Sequence, residues 1–143
     1  MLKILKYSFV LFIFLNSQSI SKENFFIKAK SLFDEGKLNE SKFLFQRNIV
    51  FNPKDSQSYL YLAKIYKAEE NLIEQEKNVN TTLLLEPSNE SAMYMLIDLK
   101  LKQSDYKKVK ELTEKFEIIC SKLCNKKKSI KERLTNIEAK NES

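Results

Sequence analysis

A proline that returns after 34 residues, Pro53 and then Pro87, does most to limit what this chain can fold into; each follows a helix-like stretch and precedes a polar turn. A period of this length builds helix-turn-helix units that cannot bury their apolar faces alone and must stack on one another. It predicts a binding scaffold rather than an enzyme fold. What is bound is not written in the period.

Aligned on that period, the chain repeats in columns. Phe25, Tyr59 and Met93 share one, and four residues later come Ala29, Ala63 and Ile97, so each first helix carries a bulky and then a small side chain on one face. Leu32, Tyr66 and Lys100 form the next column. Gly36, Glu70 and Ser104 fall at a turn, followed by Leu38, Leu72 and Tyr106, then Ser41, Gln75 and Val109, then Phe45, Val79 and Thr113. The second helix of each unit starts at an N-cap, namely Asn39 or a neighbour, Asn71, and Asp105, with Asn71 to Glu74 matching a capping box. It stops ahead of Pro53, Pro87 or Ser121, because a proline ring disfavours helical geometry in the residue before it.

This column pattern resembles the tetratricopeptide repeat (TPR) family over roughly Phe25 to Phe116. The likeness rests on Phe25, Tyr59, Ala29, Ala63, Tyr66, Gly36, Leu38, Leu72, Phe45 and the two prolines. It implies an all-α chain of about three units (22–53, 54–87 and 88–121) stacked as a short right-handed solenoid. The chain departs from the family at Lys28, where leucine is common, at Ser41 and Gln75, where a small apolar residue is usual, and at Asn48 and Thr82, where alanine is. Those departures predict looser packing. The third unit, with Lys100 in an aromatic column and Ser121 in place of proline, reads as a terminal, capping unit. An ordinary helical bundle with chance register is the competing architecture.

Beyond the repeats, Ser129 to Glu132 reads as another capping box, with Ile130, Leu134 and Ile137 on one face. The segment 122–143 is therefore expected to be a basic C-terminal capping helix, helical over Ser129 to Lys140, with a frayed end. From Lys22 to Ile119 the chain has 16 basic and 16 acidic residues, and after Cys120 it has seven basic against three. The excess of cations lies in the tail.

Residues 1–21 have the layout of a secretory signal peptide: Lys3 and Lys6, an apolar run from Tyr7 to Leu15, and a small-residue exit at Ser17 and Ser19. The run is shorter than the roughly 20 residues a helical span needs. Cleavage near Ser19 to Ser21 and a periplasmic or secreted bacterial location are expected, an uncleaved anchor being the alternative. Export places Cys120 and Cys124, the two cysteines of the chain, in an oxidising compartment. A Cys120–Cys124 disulfide requires a bend or frayed turn, since four residues of regular helix hold the Cα atoms near the limit of disulfide reach; two free thiols are the alternative. With no histidine and two thiols, a structural zinc site cannot be completed from this chain alone.

No catalytic constellation is readable. The chain has no histidine, no glycine-rich phosphate loop and no G-x-S-x-G turn, and its single glycine is used at a turn. No cofactor, no metal and no enzymatic activity are expected. Recognition remains, and the TPR resemblance implies a concave wall made by the first helix of each unit, where extended peptides or partner helices lie.

Side chains that the packing columns leave free on that wall are Phe26, Lys30 and Phe33, then Leu60, Lys64 and Lys67, then Tyr94, Asp98 and Leu101. Lys30 and Lys64, one period apart, are placed to hold a carboxylate-bearing peptide beside aromatic rings. An expectation of another class is contact of Lys126, Lys127, Lys128, Lys131 and Arg133 with an anionic membrane surface. A structural subunit stacking end on end is a third. Nucleic acid is not expected, because no aromatic residue is interleaved in the basic tail.

Overall fold

The computed structural model describes residues 24–141, with side chains as far as Asn136. Residues 1–23, which include the expected signal segment, and the side chain of Ile137 lie outside what is so described. Among the described residues seven helices follow one another: α1 (Phe25–Asp34), α2 (Leu38–Phe51), α3 (Ser56–Ala68), α4 (Leu72–Leu85), α5 (Glu90–Lys102), α6 (Tyr106–Ile119) and α7 (Lys126–Asn141). The first six form three antiparallel pairs, each packing on the next.

The turn column has a single conformation. Gly36, Glu70 and Ser104 all lie at positive φ, 77°, 57° and 58°. In each turn the following N–H reaches back five residues: Lys37 to the Leu32 carbonyl, Asn71 to Tyr66 and Asp105 to Lys100, at 2.9 to 3.0 Å. This is the Schellman closure, which favours glycine at its left-handed residue. One unit has the glycine; the other two bear the conformation without it.

Helix starts follow the expected chemistry in most units. Asn24, Asn71, Asn89 and Asp105 accept the N–H of the residue three places on through their side-chain oxygens. At α2, by contrast, the cap position is Lys37, without a side-chain bond, and Asn39 lies inside the helix. Asp55 at the head of α3 instead takes the Ser58 hydroxyl and the Asn48 amide at 2.6 and 2.7 Å.

Two of the polar departures from the repeat, Ser41 and Asn48, bridge the seams that they were expected to loosen. Ser41 is fully buried and donates to the Ala29 carbonyl at 2.8 Å, joining α2 to α1. Thr82 is equally buried and bonds the Asn78 carbonyl within its own helix. Asn48 links to Asp55 and Ser58 across the first junction. Only Gln75 keeps a buried oxygen, Oε1, with no hydrogen-bond partner among the described residues.

The core has two parts. Ala29, Phe45, Leu62 and Ile65 form one at the N-terminal end, and a larger cluster runs from Leu60 and Ala63 through α5 and α6 to Ile130 and Leu134 of α7. That larger cluster continues into α7, which covers the apolar end of the stack. Helix α7 begins at Lys126, so Ser129 to Glu132 lies inside it and not at its entrance. Cys120 ends α6 in extended geometry and is joined to Cys124 by a disulfide, with Cα atoms 5.2 Å apart.

Candidate functional site

The first helices expose different amounts of their surface, and this decides what the wall contains. Helix α1 has one packed side, burying Phe25 and Ala29. Helix α3 is central and buries Ser58, Leu60, Leu62, Ala63 and Ile65, nearly the whole circumference. Tyr61, Lys64 and Lys67 are what it presents to the wall. Leu60, expected there, is 4% exposed and belongs to the core.

Between α1 and α3 the aromatic residues interlock. The Tyr61 ring stacks on Phe45 at 5.0 Å and meets Phe33 and Phe26 edge-on at 5.1 and 6.0 Å. Such pairs gain about 1 kcal/mol each beyond the area they bury. Phe26 and Phe33 are therefore half-buried components of a rigid aromatic floor. Tyr61 is its centre, and the sequence reading passed over it; its spacing of three residues from Lys64, on the same helical face, was the available signal.

Two lysines border this floor. Lys30 pairs with Asp34 one turn on, at 2.5 Å. Lys64 lies over the Tyr61 ring, 4.5 Å from its centroid, and makes no ion pair among the described residues. Burial first, and the neighbouring Lys30 charge second, hold the Lys64 ammonium below its ordinary pKa. The site thus contains a half-buried cation, resting on a ring and repelled by a second cation, where a carboxylate would be stabilised.

The third unit's share of the wall is already covered. Asp98 receives Lys67 at 2.8 Å and Arg133 of α7 at 2.9 Å. Burial works to raise the Asp98 pKa, and the Lys67 and Arg133 hydrogen bonds outweigh it, so the group is held low. Tyr94 packs on Phe116 and faces Lys126 at 6.0 Å. Leu101, expected on the wall, is 6% exposed in the core that includes Ile130 and Leu134. Of the nine residues expected on the wall, Phe26, Lys30, Phe33 and Lys64 come together around Tyr61, Leu60 and Leu101 turn into the core, and Lys67 pairs with Asp98, which with Tyr94 meets α7.

That docking also redistributes the basic tail. Arg133 is held by Asp98, Lys131 by Glu117 at 2.9 Å, and Lys127 reaches the Glu117 carbonyl at 3.4 Å. Lys126 lies near Tyr94, and Lys128 points outward, 87% exposed. Lys127, Lys128 and Lys131 line one open depression together with Glu132, whereas Lys126 and Arg133 turn toward Tyr94 and Asp98. No helix of the described residues is long and apolar enough to cross a membrane.

No family model and no curated sequence matches the chain. Solved structures do. The TPR domain of Sgt2 from Aspergillus fumigatus superposes with a TM-score of 0.70 over 87% of this chain and 84% of that one, at 15% identity. A chain of the CopN–Scc3 complex gives 0.63 over 82% and 71%, also at 15% identity. The chain has the all-α fold of TPR domains.

Proposed function

We propose that the protein is an exported, non-enzymatic scaffold that holds a peptide or protein partner on the wall between α1 and α3. The partner places a carboxylate between Lys64 and Lys30 and lays an apolar side chain against Phe33 and Tyr61. The observation that carries this is Lys64: half-buried, on an aromatic ring, beside a second cation, and without an ion pair among the described residues, Asp34 acting on it only at longer range. A charge-assisted hydrogen bond there forms in a partly desolvated setting, where it is about twice as strong as a neutral one. The site is confined to two units because α7 covers the third.

Export rests on the leader-like residues 1–21 and on an oxidising compartment being the natural home of a disulfide. Identification of the N-terminus of the native protein tests it: a first residue near Lys22 agrees, and a retained Met1 refutes cleavage. Partner binding is tested by in-cell crosslinking from a photoreactive residue at position 61, followed by titration of the captured partner against purified protein. Lys30→Glu with Lys64→Glu should abolish binding, and unchanged affinity in that variant removes the wall as the site. End-on stacking has less support, because Ile130 and Leu134 of α7 already cover one end of the core.

A further inference from the structure

The seam between second helices occurs twice, over α3 and over α5, and the two copies differ in one direction. Between α4 and α6, above α5, a groove of about 470 Å³ is lined by Leu83, Met93, Leu96 and Leu112 and rimmed by Lys108 and Lys115. One period earlier the same positions hold Ile49, Tyr59, Leu62, Asn78, Glu74 and Thr81. There Tyr59 bonds the Pro53 carbonyl at 3.3 Å, and Asn78 and Thr81 are bonded back to their own helix at the Glu74 and Lys77 carbonyls. The first seam has Tyr59, Asn78, Glu74 and Thr81 where the second has Met93, Leu112, Lys108 and Lys115, while Leu84, 81% exposed, matches Ile118; the second is thus more apolar along its floor and has lysines on its rim. Ile118, which also lines the groove, is 84% exposed.

A complementary feature lies on the same chain. At the head of α4, Ile73 is 81% and Leu72 39% exposed, and the residues around them are Glu69, Glu70 and Glu74. Glu69 is engaged by Lys42 at 2.6 Å, whereas Glu74 has only the exposed Lys77 at 3.3 Å. This is an apolar knob with an acidic border. On the groove rim Lys108 is paired with Glu111 at 2.9 Å, and Lys115 makes no ion pair among the described residues.

We infer that the groove between α4 and α6 receives the Leu72–Ile73 knob of a second copy of this chain. Ile73 enters above Met93 and Leu96, and Glu70 and Glu74 face Lys115. A chain cannot fill its own groove: Leu72 and Leu83 are eleven residues apart on one helix, about 16 Å at 1.5 Å per residue. The contact is therefore heterologous, each copy using its knob on one neighbour and its groove on the other, so that copies add head to tail. A single knob buries less than the ~1,200 Å² of a standard interface, so the association is weak and concentration-dependent. It leaves the wall between α1 and α3 open and does not depend on it.

Sedimentation velocity over a concentration series tests this with two exposed-surface variants, Ile73→Glu and the double variant Lys115→Glu, Ile118→Glu, their folding checked by circular dichroism. The wild type should show a sedimentation coefficient that rises with concentration and falls back at high salt. Each variant alone should stay monomeric. Mixed, they should form a 1:1 dimer that grows no further, since one supplies an intact groove and the other an intact knob. A wild type that is monomeric throughout overturns the inference, as does self-association that survives in either variant or a mixture that stays monomeric.

Discussion

The carboxylate of Glu90 accepts the backbone N–H of Ser121 at 2.9 Å and its hydroxyl at 3.2 Å, and Ser121 stands in the column that Pro53 and Pro87 occupy in the earlier units. Lys122 and Leu123 add their N–H groups to the same carboxylate at 3.1 and 2.9 Å. A proline at 121 would have no N–H to give. The lost proline is thus what lets the loop close around the acid. In the second unit the corresponding junction has the opposite polarity: Ser56 at the head of α3 donates to Glu86 before Pro87, at 2.8 Å.

Hydrogen bonds from Leu123 first, and from Ser121 next, lower the Glu90 pKa from 4.5 to about 2. A carboxyl group depressed on folding contributes stability that is complete above its unfolded value and is lost as pH falls through the folded one. Urea denaturation of the wild type should therefore show stability falling between about pH 4.5 and 2. Glu90→Gln should be less stable at pH 7 with a shallower acid limb, the other carboxylates that are held low, Glu35, Glu76, Glu86, Asp98, Glu111 and Glu117, supplying the slope that remains. Ser121→Pro should resemble it. An unchanged acid limb in Glu90→Gln would show that the loop does not grip the carboxylate.

The Cys120–Cys124 bond closes the loop whose amides hold Glu90. For a separation of four residues the chain-entropy relation gives about 2 kcal/mol of stabilisation. Its loss should be felt first in α7, which the loop delivers to Asp98 and to the end of the core. In hydrogen exchange, Cys120→Ser with Cys124→Ser should deprotect α7 and leave α1 to α4 unchanged. Uniform deprotection would place the disulfide's effect on the whole stack.

The architecture was legible because the period is carried by side chains that face other helices, and those are constrained by packing. Ala29, Ala63 and Phe45 sit in the core as their columns require. The wall was only half legible. Assigning Leu60 and Leu101 to it treated every first helix as equally exposed, yet α3 has neighbours on both sides and α5 is covered by α7. Both leucines turn inward for that reason. Tyr61 and the pairing of Asp98 with Arg133 depend on which helix covers which, and no single column shows that.

Gln75 is the one position where a polar departure from the repeat has no structural answer. Ser41 in its column reaches the Ala29 carbonyl and Val109 is apolar, whereas the buried Gln75 Oε1 has no partner among the described residues. An unsatisfied buried oxygen costs about 1–3 kcal/mol, and methionine has a similar shape without the need. Gln75→Met should raise stability by roughly 1 kcal/mol in urea denaturation. A loss of stability would mean that the amide is satisfied in solution.

Ser104 carries the left-handed turn without the glycine that Gly36 supplies in the first unit, at φ 58° against 77°. A side chain in that conformation costs about 1–2 kcal/mol through the clash of Cβ with the following carbonyl. Glycine relieves it but gives the unfolded chain more freedom, returning roughly 0.5–1 kcal/mol. Ser104→Gly should therefore gain about 0.5–1 kcal/mol, a rise of a few degrees in thermal midpoint. The opposite change, Gly36→Ala, meets nothing within 4 Å and so isolates the backbone effect. It should destabilise by a comparable amount. Changes of the same sign in both variants would show that the left-handed residue is not what limits these turns.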